Sequence, residues 1–245
     1  MKAQRLSSSF PTVIILAGGL GTRLGAVAQT CPKNMMIVAG EPFVAHQMRL
    51  LKREGVSRVI FCLGHLAEQV MDFVGDGSKF HLSVDYCLDG PKLLGTGGAI
   101  KRALREKVQE KEFSVLYGDS YLDIPLLPIA DKFFAAKRLG LMTVLENGNQ
   151  WDTSNVLYRD GEIVTYDKKL RSPEMRHIDY GLSIFSRAAF DAYSADEAFD
   201  LSVVLQRLIA EHDLAAFEVA TRFYEIGTPE SLAEAERYIA ARLQA

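Results

Sequence analysis

The first 145 residues alternate between short apolar segments and longer amphipathic stretches. The short segments have the length and the β-branched or aromatic content of buried strands, and they cover residues 13–16, 59–63, 82–86, 113–116 and 141–144. Apolar positions at helical spacing lie between or beside them, at residues 43–54, 66–74, 97–107 and 131–138. Strands separated by helices form β-α-β units, so the pattern predicts an α/β fold around a largely parallel sheet.

The pattern changes near residue 145. Residues 155–158 and 163–166 flank the turn residues Asp160-Gly161, which predicts a β-hairpin. A strand at 181–185 and two helices follow, one over 201–211 with Asp200 as its N-cap and one from Pro229 onward. No repeat or Pro/Gly/Ser-rich linker separates two units. We therefore expect a loose tail over 1–10 and one domain over 11–245, with halves of about 11–125 and 126–245.

Composition limits the class of protein. Of 245 residues, 48% are hydrophobic, and 28 Lys and Arg stand against 31 Asp and Glu, a net charge of −3. This balance argues against disorder and against binding nucleic acid through bulk charge, and no apolar run reaches the roughly 20 residues of a membrane span. The three cysteines, Cys31, Cys62 and Cys87, form no Cys-x-x-Cys pair. Reduced thiols in the cytoplasm are the simplest interpretation.

The first predicted strand ends directly in Ala17-Gly18-Gly19-Leu20-Gly21-Thr22-Arg23. Glycines let backbone N–H groups approach an anion closely, although a tight strand-to-helix turn has the same composition. A dinucleotide fingerprint would need its third glycine at position 24, which is Leu24, so an NAD-dependent enzyme is a weak alternative. The P-loop ending Gly-Lys-Ser/Thr is also missing here. Arg23 and Lys33 instead supply two cations suited to a polyphosphate.

The glycine segment together with Pro32-Lys33 resembles the signature of the sugar-1-phosphate nucleotidyltransferases. The resemblance implies a Rossmann-like three-layer α/β/α fold and an enzyme that joins a sugar 1-phosphate to a nucleoside triphosphate, releasing pyrophosphate. Residues 94–99 resemble the second glycine segment of that family, which meets the base. The residues that the resemblance assigns to the nucleotide are Leu16, Ala17, Gly18, Gly19, Gly21, Thr22, Arg23, Lys33, Gly95 and Thr96.

The resemblance also implies a magnesium site. Tyr117-Gly118-Asp119 follows a hydrophobic strand, where the family places a Mg²⁺-binding aspartate. The closing family motif, usually aromatic-Asp-x-Gly-Thr, reads Tyr224-Glu225-Ile226-Gly227-Thr228 here, so Glu225 stands where an aspartate is usual. Glutamate is one methylene longer and still reaches an ion. The implied metal ligands are Asp119 and Glu225, and the implied catalytic residues are Arg23, Lys33 and Asp119.

Sugar-phosphate contacts are implied for the second half of the chain. The family carries an acidic-Lys pair after the hairpin, which matches Asp167-Lys168, with Lys169 as the alternative by a one-residue slip. The segment Asp179-Tyr180-Gly181 resembles the part of the family that faces the sugar ring. Lys168, Asp179, Tyr180 and Gly181 are therefore expected to bind the sugar phosphate.

The sequence of residues 94–101 most resembles the branch of the family that includes guanylyltransferases of heptose 1-phosphate and mannose 1-phosphate. The resemblance thus favours GTP with a sugar 1-phosphate, in cell-surface polysaccharide synthesis. A uridylyl- or cytidylyltransferase of another sugar 1-phosphate is one alternative. A catalytically silent nucleotide-sugar-binding subunit is another, because Glu225 replaces the usual aspartate. Homo-oligomers are common in the family, but no stripe in this sequence identifies an interface.

Overall fold

A computed structural model describes residues 10–19, 29–90 and 92–244 of the chain. Within these residues the strands are β1 (Val13–Ala17), β2 (Ile37–Val38), β3 (Glu41–Pro42), β4 (Arg58–Leu63), β5 (Ser83–Leu88), β6 (Glu112–Tyr117), β7 (Ser120–Tyr121), β8 (Gly140–Glu146), β9 (Val156–Arg159), β10 (Glu162–Tyr166), β11 (His177–Ser186), β12 (Leu214–Val219) and β13 (Tyr224–Glu225). The helices are α1 (Phe43–Arg53), α2 (Ala67–Val74), α3 (Gly95–Glu106), α4 (Leu127–Ala136), α5 (Leu201–Ala210) and α6 (Pro229–Leu243).

The central sheet is mixed and mainly parallel on its nucleotide side. Its strands follow the order β12-β8-β11-β6-β1-β4-β5, and the β9–β10 hairpin joins β11 at His177. β6, β1, β4 and β5 are parallel, whereas β11 runs antiparallel to both β6 and β8. β8 and β12 therefore point the same way as β6. As a result, the carboxyl ends of six strands meet at one edge of the sheet.

Helices cover both faces of the sheet, which confirms the three-layer α/β/α fold. Side chains alternate along β1, so that Ile15 packs with Val44 of α1 and Val70 of α2, while Ile14 packs on the opposite face with Ile100 of α3. α4 belongs to the first layer and α5 to the second. A third apolar cluster holds α6 against α1 and the β2–β3 and β7–β13 ladders.

The structure confirms all five early strands, the hairpin and the strand predicted at 181–185. It also confirms Asp200 as the N-cap of α5, since its side chain accepts a 2.8 Å hydrogen bond from the backbone N–H of Ser202. Two predicted helix starts were wrong. α4 begins at Leu127 rather than 131, because Pro128 occupies its first turn, and α3 begins at Gly95 rather than 97. Of the predicted loose tail, only Phe10 is described, and it is buried in the core.

β12 is absent from the sequence prediction. Its sequence, Leu-Ala-Ala-Phe-Glu-Val, contains good helix formers, and it becomes a strand because it pairs in parallel with β8 over its full length. In the described part of the chain, no helix combines the length and the apolar character needed to cross a membrane.

Candidate active site

The sheet reverses its strand order beside β1, since the chain crosses from β1 to β4 on one side while β6 lies on the other. Open α/β sheets bind ligands at this kind of switch point, outside the carboxyl ends of the strands. A cavity of about 270 Å³ opens there. Among the described residues it is lined by Leu16, Ala17, Gly18, Gly19, Lys33, Asn34, Cys62, Asp89, Leu93, Gly95, Thr96, Ala99, Tyr117, Gly118 and Asp119.

This cavity brings together most of the residues predicted to bind the nucleotide. Leu16 through Gly19, Lys33, Gly95 and Thr96 all lie in its wall. Gly21, Thr22 and Arg23 fall outside the described residues. A Cβ atom on Gly118 would lie 2.8 Å from the Cβ atom of Ala17, so a larger residue there would push apart the ends of β1 and β6.

Lys33 and Asp119 form a charged pair in the cavity wall. The Lys33 ammonium lies 3.0 Å from Oδ2 of Asp119, and both side chains are partly exposed. Lys33 opens a short 3-10 turn (Lys33–Met35), whereas Asp119 sits in the turn between β6 and β7. The pairing of β7 with β13 puts Glu225 opposite Ser120 in the ladder. The two predicted metal ligands therefore come from adjacent segments.

Two carboxylates of this kind suit a magnesium ion, which keeps several waters and takes its remaining ligands from substrate phosphates. Within the described residues, no group of three or more His, Cys, Asp or Glu side chains is arranged to hold a metal. The donor set therefore fits an ion shared with a phosphate substrate better than a closed structural site.

Asn34 borders the same cavity and was not singled out in the sequence. Its side chain is 2% exposed, and neither its amide nitrogen nor its oxygen has a hydrogen-bond partner among the described residues. A buried amide with both ends unpaired is costly, which points to a ligand or an ordered water as its missing partner.

Asp89 is a second residue that the motifs missed. It follows β5, lines the cavity and is 7% exposed. Burial raises the pKa of its carboxyl group, against the lowering effects of the Leu94 backbone and the charge of Arg102. The Arg102 guanidinium donates to the backbone carbonyls of Leu88 and Asp89, at 2.9 and 2.7 Å. Only the position of Asp89 after a parallel strand could have marked it beforehand.

The second glycine segment is shaped largely by packing. The backbone N–H groups of Gly97 and Gly98 both donate to the Phe199 carbonyl, at 2.9 and 3.2 Å, and a Cβ atom on Gly97 would lie 2.3 Å from the Phe199 ring. The Thr96 hydroxyl donates to Asp200 at 3.1 Å and accepts from the N–H of Leu201 at 2.8 Å. The loop before α5 therefore caps α3 and takes up these N–H groups.

Lys168 lies where the two halves of the chain meet. Its ammonium is 3.4 Å from Oδ1 of Asp200 and 5.9 Å from the centre of the Tyr117 ring, and Tyr117 lines the cavity. Asp200 thus contacts Thr96 and Lys168 together, linking a predicted nucleotide residue to a predicted sugar-phosphate residue. Both carboxylate and ammonium remain partly exposed, so the ion pair is weak and open to exchange with a phosphate.

Asp179 connects the hairpin to β6. Its Oδ2 accepts hydrogen bonds from the hydroxyls of Tyr117 and Tyr166, at 3.0 and 3.2 Å, and its Oδ1 accepts from the N–H of Gly181. Burial nevertheless raises the pKa of this carboxyl group. Gly181 has a φ of +99°, and a Cβ atom there would lie 3.2 Å from the Tyr117 ring, so glycine lets the ring pack closely.

Tyr180 is the predicted sugar-phosphate residue whose side chain is kept in the core. It is 1% exposed and packs edge-on against Phe223, with ring centres 5.7 Å apart. Neighbouring residues of a strand point to opposite faces, so Asp179 and Tyr180 project in opposite directions. The Tyr180 side chain therefore packs into the core, and the contact of Tyr180 with the sugar phosphate stays a prediction.

A switch-point cavity with a lysine–aspartate pair and glycine-rich walls defines a nucleotide-binding α/β enzyme. The family model described as nucleotidyl transferase matches residues 12–242. The chain belongs to this family and is a sugar-1-phosphate nucleotidyltransferase. Substrates in the family are a nucleoside triphosphate and a sugar 1-phosphate, and a divalent metal is commonly used.

Individual relatives agree with this placement. The chain is 28% identical over 227 residues to the D-glycero-alpha-D-manno-heptose 1-phosphate guanylyltransferase of Aneurinibacillus thermoaerophilus, covering 91% of this chain and 96% of the relative. It is 29% identical over 220 residues to the enzyme of the same name from Campylobacter jejuni, covering 89% and 95%. The crystal structure of HddC from Yersinia pseudotuberculosis complexed with GMP-PN superposes with a TM-score of 0.77 at 27% identity, covering 94% of this chain and all of that one.

Proposed function

We propose that the chain is a guanylyltransferase that uses GTP and either D-glycero-D-manno-heptose 1-phosphate or mannose 1-phosphate. The heptose-1-phosphate guanylyltransferases among its relatives support the substrate pair, and the GMP-PN complex of HddC supports the guanine nucleotide. The observation in this chain that carries the choice of base is the buried carboxylate of Asp89 in the cavity wall. With three free thiols in the described part, we also propose the cytoplasm as its compartment.

A carboxylate is complementary to guanine in particular. Guanine presents two adjacent donors, N1–H and the 2-amino group, and a carboxylate has two acceptor oxygens. Uracil and thymine present a single N–H between two carbonyl oxygens, which a carboxylate repels. Guanine would therefore give the buried Asp89 carboxylate the hydrogen bonds that offset its desolvation, whereas a pyrimidine would leave part of that cost in place.

The chemistry follows from bringing two anions together. An oxygen of the sugar 1-phosphate attacks the α-phosphorus in line, the new P–O bond forms, the bond from the α-phosphorus to the β-phosphate oxygen breaks, and pyrophosphate leaves. The attacking phosphate is already ionised near neutral pH, so no strong general base is required, and positioning and electrostatics supply the rate. A Mg²⁺ ion held by Asp119 and Glu225 would supply divalent charge to the phosphate oxygens.

Different basic residues of the chain neutralise the triphosphate and the sugar phosphate. Lys33, freed from Asp119 when a substrate enters, offsets negative charge on the triphosphate. Lys168 exchanges Asp200 for the sugar phosphate and orients the attacking oxygen. Arg23 keeps its sequence-based assignment to the triphosphate. The nucleotide-binding half and the sugar-phosphate half would meet at Tyr117 and Lys168, which lie together in the structure.

The test combines a substrate panel with one substitution. Pyrophosphate release is measured for GTP, ITP, UTP, CTP and dTTP with a panel of sugar 1-phosphates. We expect GTP with heptose or mannose 1-phosphate to be preferred. ITP lacks the 2-amino group, so its kcat/KM should be lower by about 10- to 100-fold. Asp89→Asn should remove most of the GTP-over-ITP preference while leaving KM for the sugar phosphate within about 2-fold, because Asp89 is assigned to the base and not to the sugar phosphate.

Three outcomes contradict parts of this proposal. Preference for UTP or CTP would replace guanylyl transfer by transfer of a pyrimidine nucleotide. An unchanged GTP-over-ITP ratio in Asp89→Asn would remove Asp89 from base recognition. Release of pyrophosphate with no pair would favour the silent nucleotide-sugar-binding subunit.

A further inference from the structure

Gln47 is a polar residue on the inward face of α1. It is 1% exposed, and among its helical neighbours Phe43, Val44 and Met48 are fully buried apolar residues. Its amide nitrogen donates two hydrogen bonds, one to the Tyr117 carbonyl at 3.1 Å and one to the Ser120 carbonyl at 2.9 Å. Both N–H groups of the amide are therefore used, and both go to the same turn.

The turn that Gln47 holds contains Asp119. Gln47 bonds the carbonyls on either side of it, while the carbonyl of Asp119 itself accepts from the N–H of Ile226 at 3.1 Å. The turn is thus fastened from α1 on one side and from the segment carrying Glu225 on the other. The Asp119 carboxylate is left to face Lys33 and the cavity.

Stability alone does not account for a glutamine at this position. Its Oε1 atom is buried and has no hydrogen-bond partner among the described residues. Gln47 also borders an apolar void of about 10 Å³, which is at the lower limit for one water molecule. An unsatisfied buried oxygen destabilises the fold. Residues that lower stability in this way are expected where a geometric requirement of function outweighs packing.

We propose that Gln47 is a positioning residue, which fixes the Tyr117–Ser120 turn so that the Asp119 carboxylate is presented to the metal and the phosphates. The inference rests on the proposed function, since it takes Asp119 as a metal ligand. Partners that orient a ligating carboxylate without touching the ion set metal affinity, and their loss typically weakens binding by about 10- to 100-fold.

The experiment compares three variants of the full-length chain. Gln47→Met keeps the length of the side chain but removes both donors. Met48→Ala is the matched control, because it destabilises the same helix from a fully buried site whose side chain is apolar. Asp119→Asn removes the proposed ligand itself. For each variant the melting temperature is measured, followed by Mn²⁺ binding in the presence of a non-hydrolysable GTP analogue, and the Mg²⁺ concentration that gives half-maximal pyrophosphate release.

We expect Gln47→Met to weaken Mn²⁺ binding and to raise the half-saturating Mg²⁺ concentration by about 10-fold or more, with most of kcat regained at high Mg²⁺. Met48→Ala should lower the melting temperature without changing either metal reading. If Gln47→Met loses stability but binds the metal normally while Asp119→Asn does not, the positioning role is wrong and the ligand assignment stands. If Asp119→Asn itself binds the metal normally, the assignment of Asp119 in the proposed function fails.

Discussion

At the scale of single residues, Asn34 is a candidate for a further contact with the nucleotide. It follows Lys33 in the 3-10 turn and borders the cavity, and both ends of its buried amide lack partners among the described residues. An Asn amide donates readily to a phosphate oxygen and accepts from a ribose hydroxyl or a water. The unpaired amide is therefore expected to be satisfied when the nucleoside triphosphate binds.

Replacing Asn34 by leucine should separate the two effects. Removal of the unsatisfied amide is expected to stabilise the fold by about 1 kcal/mol, because the desolvation cost is relieved. The KM for GTP should rise by about 10-fold, corresponding to the loss of one hydrogen bond to a charged group. Urea unfolding and steady-state kinetics measure the two quantities. A leucine variant with wild-type KM for GTP would show that the amide serves the fold rather than the nucleotide.

The functional residues that the sequence predicts belong to short motifs, whereas those that it misses are defined by burial and by distant partners. Lys33 and Asp119 were found because each belongs to a short sequence motif. In the structure, Nζ of Lys33 lies 3.0 Å from Oδ2 of Asp119. No such motif includes Asp89, Asn34 or Gln47. Their importance depends on burial and on missing or distant partners, such as the 70-residue separation between Gln47 and Tyr117. Hydrogen bonds of this range follow from the packing of α1 under the sheet and cannot be read from neighbouring residues.

At the scale of elements, Asp123 fastens α6 to the rest of the fold. Its side chain is 4% exposed and accepts from Arg53 at 2.5 Å and from the hydroxyl of Tyr238 at 2.8 Å, with Arg242 of the same helix at 2.8 Å. Burial alone raises the pKa of Asp123, but these donors and charges more than offset it and hold the pKa below its ordinary value.

The sign of the resulting pH dependence follows from linkage. A carboxyl group whose folded pKa is lowered stabilises the protein above its unfolded pKa of about 4, and loses that contribution as pH falls through the folded pKa. Asp123→Asn should therefore lower the free energy of unfolding by about 2 kcal/mol near pH 7, with the difference from wild type shrinking below about pH 4. Urea unfolding across this range measures it. Asp131→Asn, at an exposed position of α4, is the control, and an Asp123→Asn deficit that stays constant down to about pH 3 would contradict the linkage.

Element types were easier to predict than their connections. Strong periodicity identified the β-α-β half, because each strand there is a short apolar run between helices. β12 was missed because only its parallel pairing with β8, 74 residues away in sequence, favours a strand over a helix. The antiparallel β11, which lies between β6 and β8 and joins the two halves in one sheet, likewise follows from tertiary pairing.

At the scale of the whole molecule, the net charge does not describe the charges at the candidate site. The chain carries a net charge of −3, yet Lys33 and Lys168 lie at the carboxyl edge of the sheet, each paired with an aspartate. Two of the acidic residues, Asp119 and Asp200, therefore lie where a metal and two phosphates are expected to bind. A small site of this kind attracts anions through nearby cations, although the molecule as a whole is slightly acidic.

This arrangement predicts how activity depends on salt. Raising NaCl from about 0.05 to 0.5 M shortens the Debye length from roughly 14 to 4 Å, so KM for GTP and for the sugar phosphate should rise by about 3- to 10-fold at saturating Mg²⁺. Lys33→Gln should raise KM for GTP at low salt and flatten its salt dependence, because the cation being screened is gone. Lys132→Gln, at an exposed position of α4, should keep the wild-type salt dependence. Steady-state kinetics at several salt concentrations provide the measurement. If Lys33→Gln kept the wild-type slope of KM against salt, the steering charge would have to come from other cations, and the assignment of Lys33 to the triphosphate would be wrong.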